Sequence, residues 1–200
     1  HLQKTGLAQK IRACAQAGGA VLGICGGYQM LGRSVRDPGG VESRRGTARG
    51  LGLLDVETVF HPEKTLHQVV FAADGAKGKG YEIHMGQTRR RAGTRPLLKI
   101  FSRSGMAVED EDGAVNARGN VLGTYVHGLF DSAQIAWQFV ALLRQRRGLP
   151  PIADADGQSH REFLSARYDR LANLLREHLD LEPVLRAIGI QREKLSEVPC

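Results

Sequence analysis

Cysteine is scarce in these 200 residues, and the three present, Cys14, Cys25 and Cys200, share no metal-ligand spacing. An odd number leaves at least one thiol unpaired, which argues against a disulfide framework and for reduced thiols. No apolar run approaches the roughly 18 residues of a membrane span. The opening residues His1-Leu2-Gln3-Lys4 lack the apolar stretch of a secretory signal, so the expected address is the cytoplasm, with no membrane partner. Aromatics make up only 6% of the chain, and none is interleaved with the two basic clusters, Arg89-Arg90-Arg91 and Arg144 to Arg147. The net charge of +7 therefore reads as a solvated basic surface and not as a nucleic-acid footprint. There is no internal repeat, no low-complexity tail and no GxxxxGK[ST] phosphate loop.

What is present is an alternation of helical and extended patterns with 42% hydrophobic content, which suits a layered α/β domain. Leu7, Ile11 and Cys14 fall on one helical face ahead of Gly18-Gly19, which places Cys14 in the core. Val21 to Cys25 form a short apolar run suited to a buried strand. Further strands are expected over 51 to 60, 66 to 72, 97 to 101 and 106 to 109, with turns at Asp112-Gly113 and Arg118-Gly119. Val121 to Val126 predict a strand that delivers His127. Asp131 or Ser132 then caps a helix carrying Ile135, Phe139, Leu142 and Leu143 on one side and ended by Arg146, Arg147 and Gly148. The polar, proline-bearing stretch from Leu149 to Gly157 reads as a connector. The organisation expected is thus a domain over 1–148 and a helical extension over 149–200 packing on it. In that extension Ser159 and Glu162 have capping-box spacing, and Phe163, Tyr168, Leu171, Leu174, Leu175 and His178 recur at helical intervals. A second short helix starts near Pro183 and stops at Gly189.

Residues 20 to 32 read AVLGICGGYQMLG, with four glycines around one cysteine. A strand ending in a small-residue turn and re-entering as a helix is the geometry of a nucleophile elbow, here Gly23-Ile24-Cys25-Gly26-Gly27. A β-carbon beside such a corner would meet neighbouring chain or incoming substrate. The helix behind it favours thiolate over thiol at Cys25, and the Gly26 N–H is placed to donate to an oxyanion. A buried cysteine in a glycine-rich turn and a phosphate cradle are the other readings of the string. A thiolate also needs a proton carrier for the leaving group. His127, at a strand end in GTYVHGLFD with glycine beside it, is the first candidate, and His84 in GYEIHMG is the second.

Three strings together, VLGICGGYQMLG, GYEIHMG and GTYVHGLFD, in this order and at this spacing, resemble the class I glutamine amidotransferase domain of the cobyric acid synthase family. DPGGVES, GLGLLDVETVF followed by EKTL, DGAV ahead of the histidine strand, and YDRLANLLREHLDLEPVL extend the resemblance over nearly the whole chain. It implies a flavodoxin-like, three-layer α/β fold with helices on both faces of the sheet, first strands lying upstream of His1, and a C-terminal helical appendage. An unpaired sheet edge would remain where those strands belong.

The resemblance also implies a glutaminase. Cys25 attacks the glutamine side-chain amide, His127 helps expel ammonia, Gly26 donates to the oxyanion and Gln29 contacts the substrate. No cofactor is expected in this chain; ATP and magnesium belong to an N-terminal synthetase domain, the expected partner, which amidates the b, d, e and g carboxylates of adenosylcobyrinic acid a,c-diamide. Many class I amidotransferases carry a glutamate two residues after the histidine, where this chain, like cobyric acid synthases, has another residue, Leu129. Glu82 is a candidate orienter of His127, a structural Glu82 bonding to loop backbone being the other reading. A sibling amidotransferase (a,c-diamide synthase or cell-wall amidating subunit), a non-catalytic docking module and a general cysteine hydrolase stand as alternatives.

Overall fold

The apolar run after Gly19 forms β1 (Val21–Ile24) in the computed structural model, between helices α1 (Leu7–Gln16) and α2 (Gly26–Leu31). The structure describes residues 2–44, 46–151 and 160–189. The chain divides into two units, His1–Gly157 and Gln158–Cys200. The first continues through β2 (Ser34–Arg36), β3 (Thr47–Arg49), β4 (Val56–Ala73), β5 (Ala76–Arg90), β6 (Thr94–Arg95), β7 (Leu98–Arg103) and β8 (Met106–Asp112). It ends with β9 (Ala114–Asn116), β10 (Val121–Thr124), β11 (Val126–His127), a 3-10 turn (Leu129–Asp131) and α3 (Ala133–Arg146). The second unit holds α4 (His160–His178) and α5 (Glu182–Ala187).

Two sheets organise the first unit. One has the order β1-β10-β9-β6, with β1 and β10 parallel and in register from Val21 opposite Val121 to Ile24 opposite Thr124. Because side chains alternate along a strand, Val21 and Val121 point to a core shared with Ala8 and Ala15 of α1 and Tyr28 and Leu31 of α2. Leu22 and Leu122 point the other way, toward α3. Helices therefore cover both faces of the parallel pair, the three-layer α/β arrangement expected. The other sheet runs β11-β5-β4-β2-β3, with β7 added to β4 and β8 to β7.

Several local expectations are corrected. The strands foreseen at 51 to 60 and 66 to 72 are one 18-residue strand, β4, bulged between Phe60 and Thr65 against β5. Residues 51 to 55 stay outside it, where Leu51 and Leu54 fill the core. The strand foreseen over 121 to 126 breaks at Tyr125, and the chain passes there from the first sheet to the second. Cys14 is exposed, since the buried face of α1 is made by Ala8 and Ala15. The basic clusters are partly neutralised: Arg90 pairs with Glu111, Arg91 with Glu57, and Arg146 donates to the Arg118 carbonyl. Gly148 follows α3 with φ 65°, as the helix-ending signal implied.

In the second unit α4 exposes Phe163, Tyr168, Leu171, Leu174 and Leu175 by 39% to 65%, where the periodic pattern had suggested a packed face. Ser159, the expected cap, lies outside the described residues. Pro183 sits in the first turn of α5, and Gly189 beyond it has φ 73°.

Candidate functional site

β1 ends at Ile24 and α2 begins at Gly26, which leaves Cys25 alone at the corner with φ 53° and ψ −114°. A positive φ costs a residue with a β-carbon of order 1–3 kcal/mol, so the surrounding packing must hold it there. Gly23 explains how. A β-carbon at that position would lie 2.6 Å from the Gly27 carbonyl carbon and 2.6 Å from Leu31 Cδ1, so only glycine lets α2 close onto β1 this tightly. Gly26 and Gly27 differ, because a β-carbon at either meets nothing within 4 Å. Of the two reasons expected for these glycines, contact with the chain applies to Gly23 alone. The Gly26 N–H opens a helix of six residues and has no carbonyl of that helix to bind.

The Cys25 amide donates to the Thr124 carbonyl at 2.8 Å, and its thiol donates to the Ile83 carbonyl at 3.5 Å. His127 lies just past β10, in β11, which pairs antiparallel with β5 so that Val126 faces Glu82 and His127 faces Tyr81. Ile83 and Tyr81 stand two residues apart on β5, roughly 7 Å along the strand. Cys25 and His127 are thus tied to neighbouring positions of one strand, at the C-terminal ends of the parallel strands. The His127 imidazole stacks on the Tyr81 ring, with centroids 4.8 Å apart and planes 7° from parallel. Its Nε2 is buried and, among the described residues, has no hydrogen-bond partner.

Glu82 is placed otherwise than an orienter of His127 requires. Its side chain is buried, and both oxygens accept from Arg103, Oε2 from Nε at 3.0 Å and Oε1 from Nη2 at 3.3 Å. Arg103 also reaches Asp110 at 2.6 Å. A two-pronged guanidinium contact fixes a carboxylate's direction, and here it turns Glu82 to Arg103. The orienter expectation is corrected, and so is the partner of a structural Glu82, which is the Arg103 guanidinium and not loop backbone.

Gln29, 8% exposed, donates through Nε2 to the Tyr125 hydroxyl at 3.2 Å. That hydroxyl also bonds Thr88 Oγ1 at 2.6 Å, and Thr88 bonds Thr58 at 2.7 Å. His84 stacks on the other aromatic surface of this network, 3.8 Å from the Tyr125 ring, and donates its Nδ1–H to the Gly86 carbonyl at 2.8 Å. Burial pulls the His84 pKa below that of free imidazole, although the Gly86 bond opposes the shift. Asp112, buried at the end of β8, accepts from the Thr124 hydroxyl and from the Tyr125 N–H at 3.0 Å, while Thr124 Oγ1 accepts the Val126 N–H at 3.0 Å. Burial raises the Asp112 carboxyl, against the pull of these two donors. Asp112 and Thr124 together pin the residue at which the chain changes sheets. Neither was legible as a site residue, the only trace being the Asp112-Gly113 turn and a threonine two places before a valine. The expectation from the three motifs is met at the level of a protein-family model: the one for the CobB/CobQ-like glutamine amidotransferase domain matches residues 1–135.

The chain belongs to the CobB/CobQ-like glutamine amidotransferase family.

Curated relatives agree with that membership. The chain is 41% identical over 198 residues to a cobyric acid synthase of Syntrophobacter fumaroxidans, covering 94% of this chain and 38% of that protein. It is 41% identical over 199 residues to the cobyric acid synthase of Alkaliphilus metalliredigens, covering 94% and 39%. The chain therefore spans less than two fifths of these relatives and aligns to their C-terminal part. Among solved structures, PurLQS from Thermotoga maritima superposes with a TM-score of 0.45 at 18% identity, covering 64% of this chain and 60% of that one. A glutamine amidotransferase of the same organism superposes at 0.38 and 14% identity, covering 76% and 61%.

An apolar hollow of this CobB/CobQ-like domain lies away from the elbow. A cleft of about 630 Å³ between the sheets and α3 is lined by Leu22, Leu97, Leu122, Phe130, Trp137 and Leu142 among others, and by neither Cys25 nor His127. Among the described residues no three of His, Cys, Asp and Glu are grouped to hold a metal ion. No described helix is long and apolar enough to cross a membrane.

Proposed function

We propose that this domain is the glutaminase part of a cobyric acid synthase. It hydrolyses glutamine and supplies ammonia for the ATP-dependent amidation of the b, d, e and g carboxylates of adenosylcobyrinic acid a,c-diamide, in the cytoplasm. The observation that carries the reading is Cys25, a non-glycine residue held at φ 53° between a parallel strand and a helix. Similarity to cobyric acid synthases over 94% of the chain supports the choice of enzyme. ATP and magnesium act in the N-terminal synthetase part of the full-length protein.

In the reaction, the Cys25 thiol gives its proton to the His127 imidazole, its sulfur attacks the side-chain amide carbon of glutamine, and the C–S bond forms as the carbonyl oxygen takes negative charge. The Gly26 N–H donates to that oxyanion. His127 passes a proton through its unpartnered Nε2 to the leaving nitrogen, the C–N bond breaks and ammonia departs. Water, deprotonated by the same imidazole, then attacks the thioester, releasing glutamate and restoring the thiol. Gln29, fixed by its bond to Tyr125, contacts the bound glutamine.

Glutamine-dependent ammonia release by the full-length protein containing this chain tests the assignment. Cys25→Ala is expected to abolish turnover, and His127→Asn to lower kcat by about a hundredfold or more. Ammonia release that survives Cys25→Ala overturns the reading. Turnover of simple amides at rates matching glutamine points to a general cysteine hydrolase instead.

A further inference from the structure

We propose that Tyr81 is the positioning residue of His127, its ring face taking the place of the carboxylate that other catalytic histidines use. This rests on the glutaminase reading and extends it to a residue that no motif role covers. Three observations converge. Position 129, where a glutamate could have served, is leucine. The nearby carboxylate, Glu82, is held by both prongs of Arg103. The imidazole instead lies flat on Tyr81, 4.8 Å between centroids and 7° between planes.

Backbone geometry makes the stack a consequence of register. His127 and Tyr81 are directly paired residues of β11 and β5, so their side chains leave the sheet on the same side. A β-carbon on the neighbouring Gly80 would lie 2.2 Å from the His127 carbonyl oxygen, so glycine there lets the two strands approach closely. A ring stacked in this way restricts rotation of the imidazole and fixes the plane in which its nitrogens lie. The charged and titratable groups around it are few. β5 brings Tyr81, Glu82 and His84, the elbow brings Cys25, and β7 brings Arg103, already paired with Glu82. The 3-10 turn brings Asp131, whose carboxylate stands beside Gly128. Tyr81 alone among them presents an aromatic face to His127.

The test measures glutamine hydrolysis by the full-length protein carrying Tyr81→Ala, Tyr81→Leu or Tyr81→Phe, together with the ring-proton NMR shifts of His127. Tyr81 is 42% exposed, so none of these changes empties the core. Ala and Leu are expected to lower kcat about tenfold with KM within about threefold, the size of losing one stacked aromatic contact and the orientation it enforces. Phe keeps the face and is expected to keep kcat. The His127 ring protons, shielded by the stack, shift downfield in Ala and Leu and not in Phe. Parental kcat in Tyr81→Leu overturns the proposal, because volume alone then suffices. So does a Phe variant as slow as Ala, which assigns the effect to the hydroxyl, and so do unmoved ring-proton shifts. Parental activity in Cys25→Ala overturns the glutaminase reading itself, a result that Tyr81 variants cannot mimic.

Discussion

His84 and His127 show how two imidazoles on paired strands come to differ. The His84 Nδ1–H is spent on the Gly86 carbonyl and its ring is pressed on Tyr125, whereas His127 keeps a buried nitrogen without a partner among the described residues. His84 has a folded-state pKa below the usual 6.5 because burial penalises the charged ring. A lowered histidine contributes stability that is fully present above pH 6.5 and is lost as pH falls through the folded value, since the unfolded chain then binds the extra proton. Urea midpoints measured from about pH 8 to about pH 5 are expected to drop on the acid side in the parent and to drop less steeply in His84→Gln. Equal slopes would leave His84 without a part in acid sensitivity. The Glu82 and Arg103 pair belongs to the same scale. Removing only one partner of a buried pair strands a charge at a cost of about 3–5 kcal/mol, which is why Glu82 reads as a structural anchor under β5 and not as a proton-handling group.

Elements meet at two glycines. Gly23 lets α2 rest on β1, and a β-carbon on Gly123 of β10 would lie 2.1 Å from a ring carbon of Tyr28, so the helix and both parallel strands share one tight junction beneath Cys25. Gly123→Ala is expected to cost about 3 kcal/mol, the upper part of the overpacking range, read as a lowered urea midpoint. Gly123→Ala combined with Tyr28→Leu is expected to recover part of that loss, because the two changes share one contact. This junction was legible in the sequence: an apolar run, then glycines around a cysteine, then a helical pattern are local signals, and they placed β1, the elbow and α2 correctly. The 3.6-residue rhythm likewise located α3. The long β4–β5 hairpin was legible only in fragments, because residues 61 to 64 fall in the bulge between the paired Phe60 and Thr65, and the pairing on either side is made with residues about 20 or more positions on, not by local composition. Glu82 was misplaced for a similar reason. Its neighbour in sequence is His84 and its partner in space is Arg103, 21 residues on.

On the scale of the whole molecule, the first sheet stops at β1, which pairs with β10 on one side and with no described strand on the other. An unpaired strand edge beside the apolar cleft lined by Leu22 and Leu122 is an invitation to a second chain. The 200-residue chain on its own is therefore expected to associate with rising concentration, seen as a growing mass in light scattering. Leu22→Lys, which sets a charge facing that cleft, is expected to reduce the effect. A constant monomer mass in the parent would show the edge to be blunted by other means.

The crossing at Tyr125 has a mechanical meaning. Cys25 follows a strand of one sheet and His127 lies in a strand of the other; the backbone crosses between the sheets at Tyr125, and the Cys25 thiol bridges them again at Ile83 of β5. Geometric errors of about 1 Å already cost a reacting pair about a hundredfold. On the proposed reading, the bonds that Asp112 makes to Thr124 and to the Tyr125 N–H therefore help to fix the spacing of sulfur and imidazole.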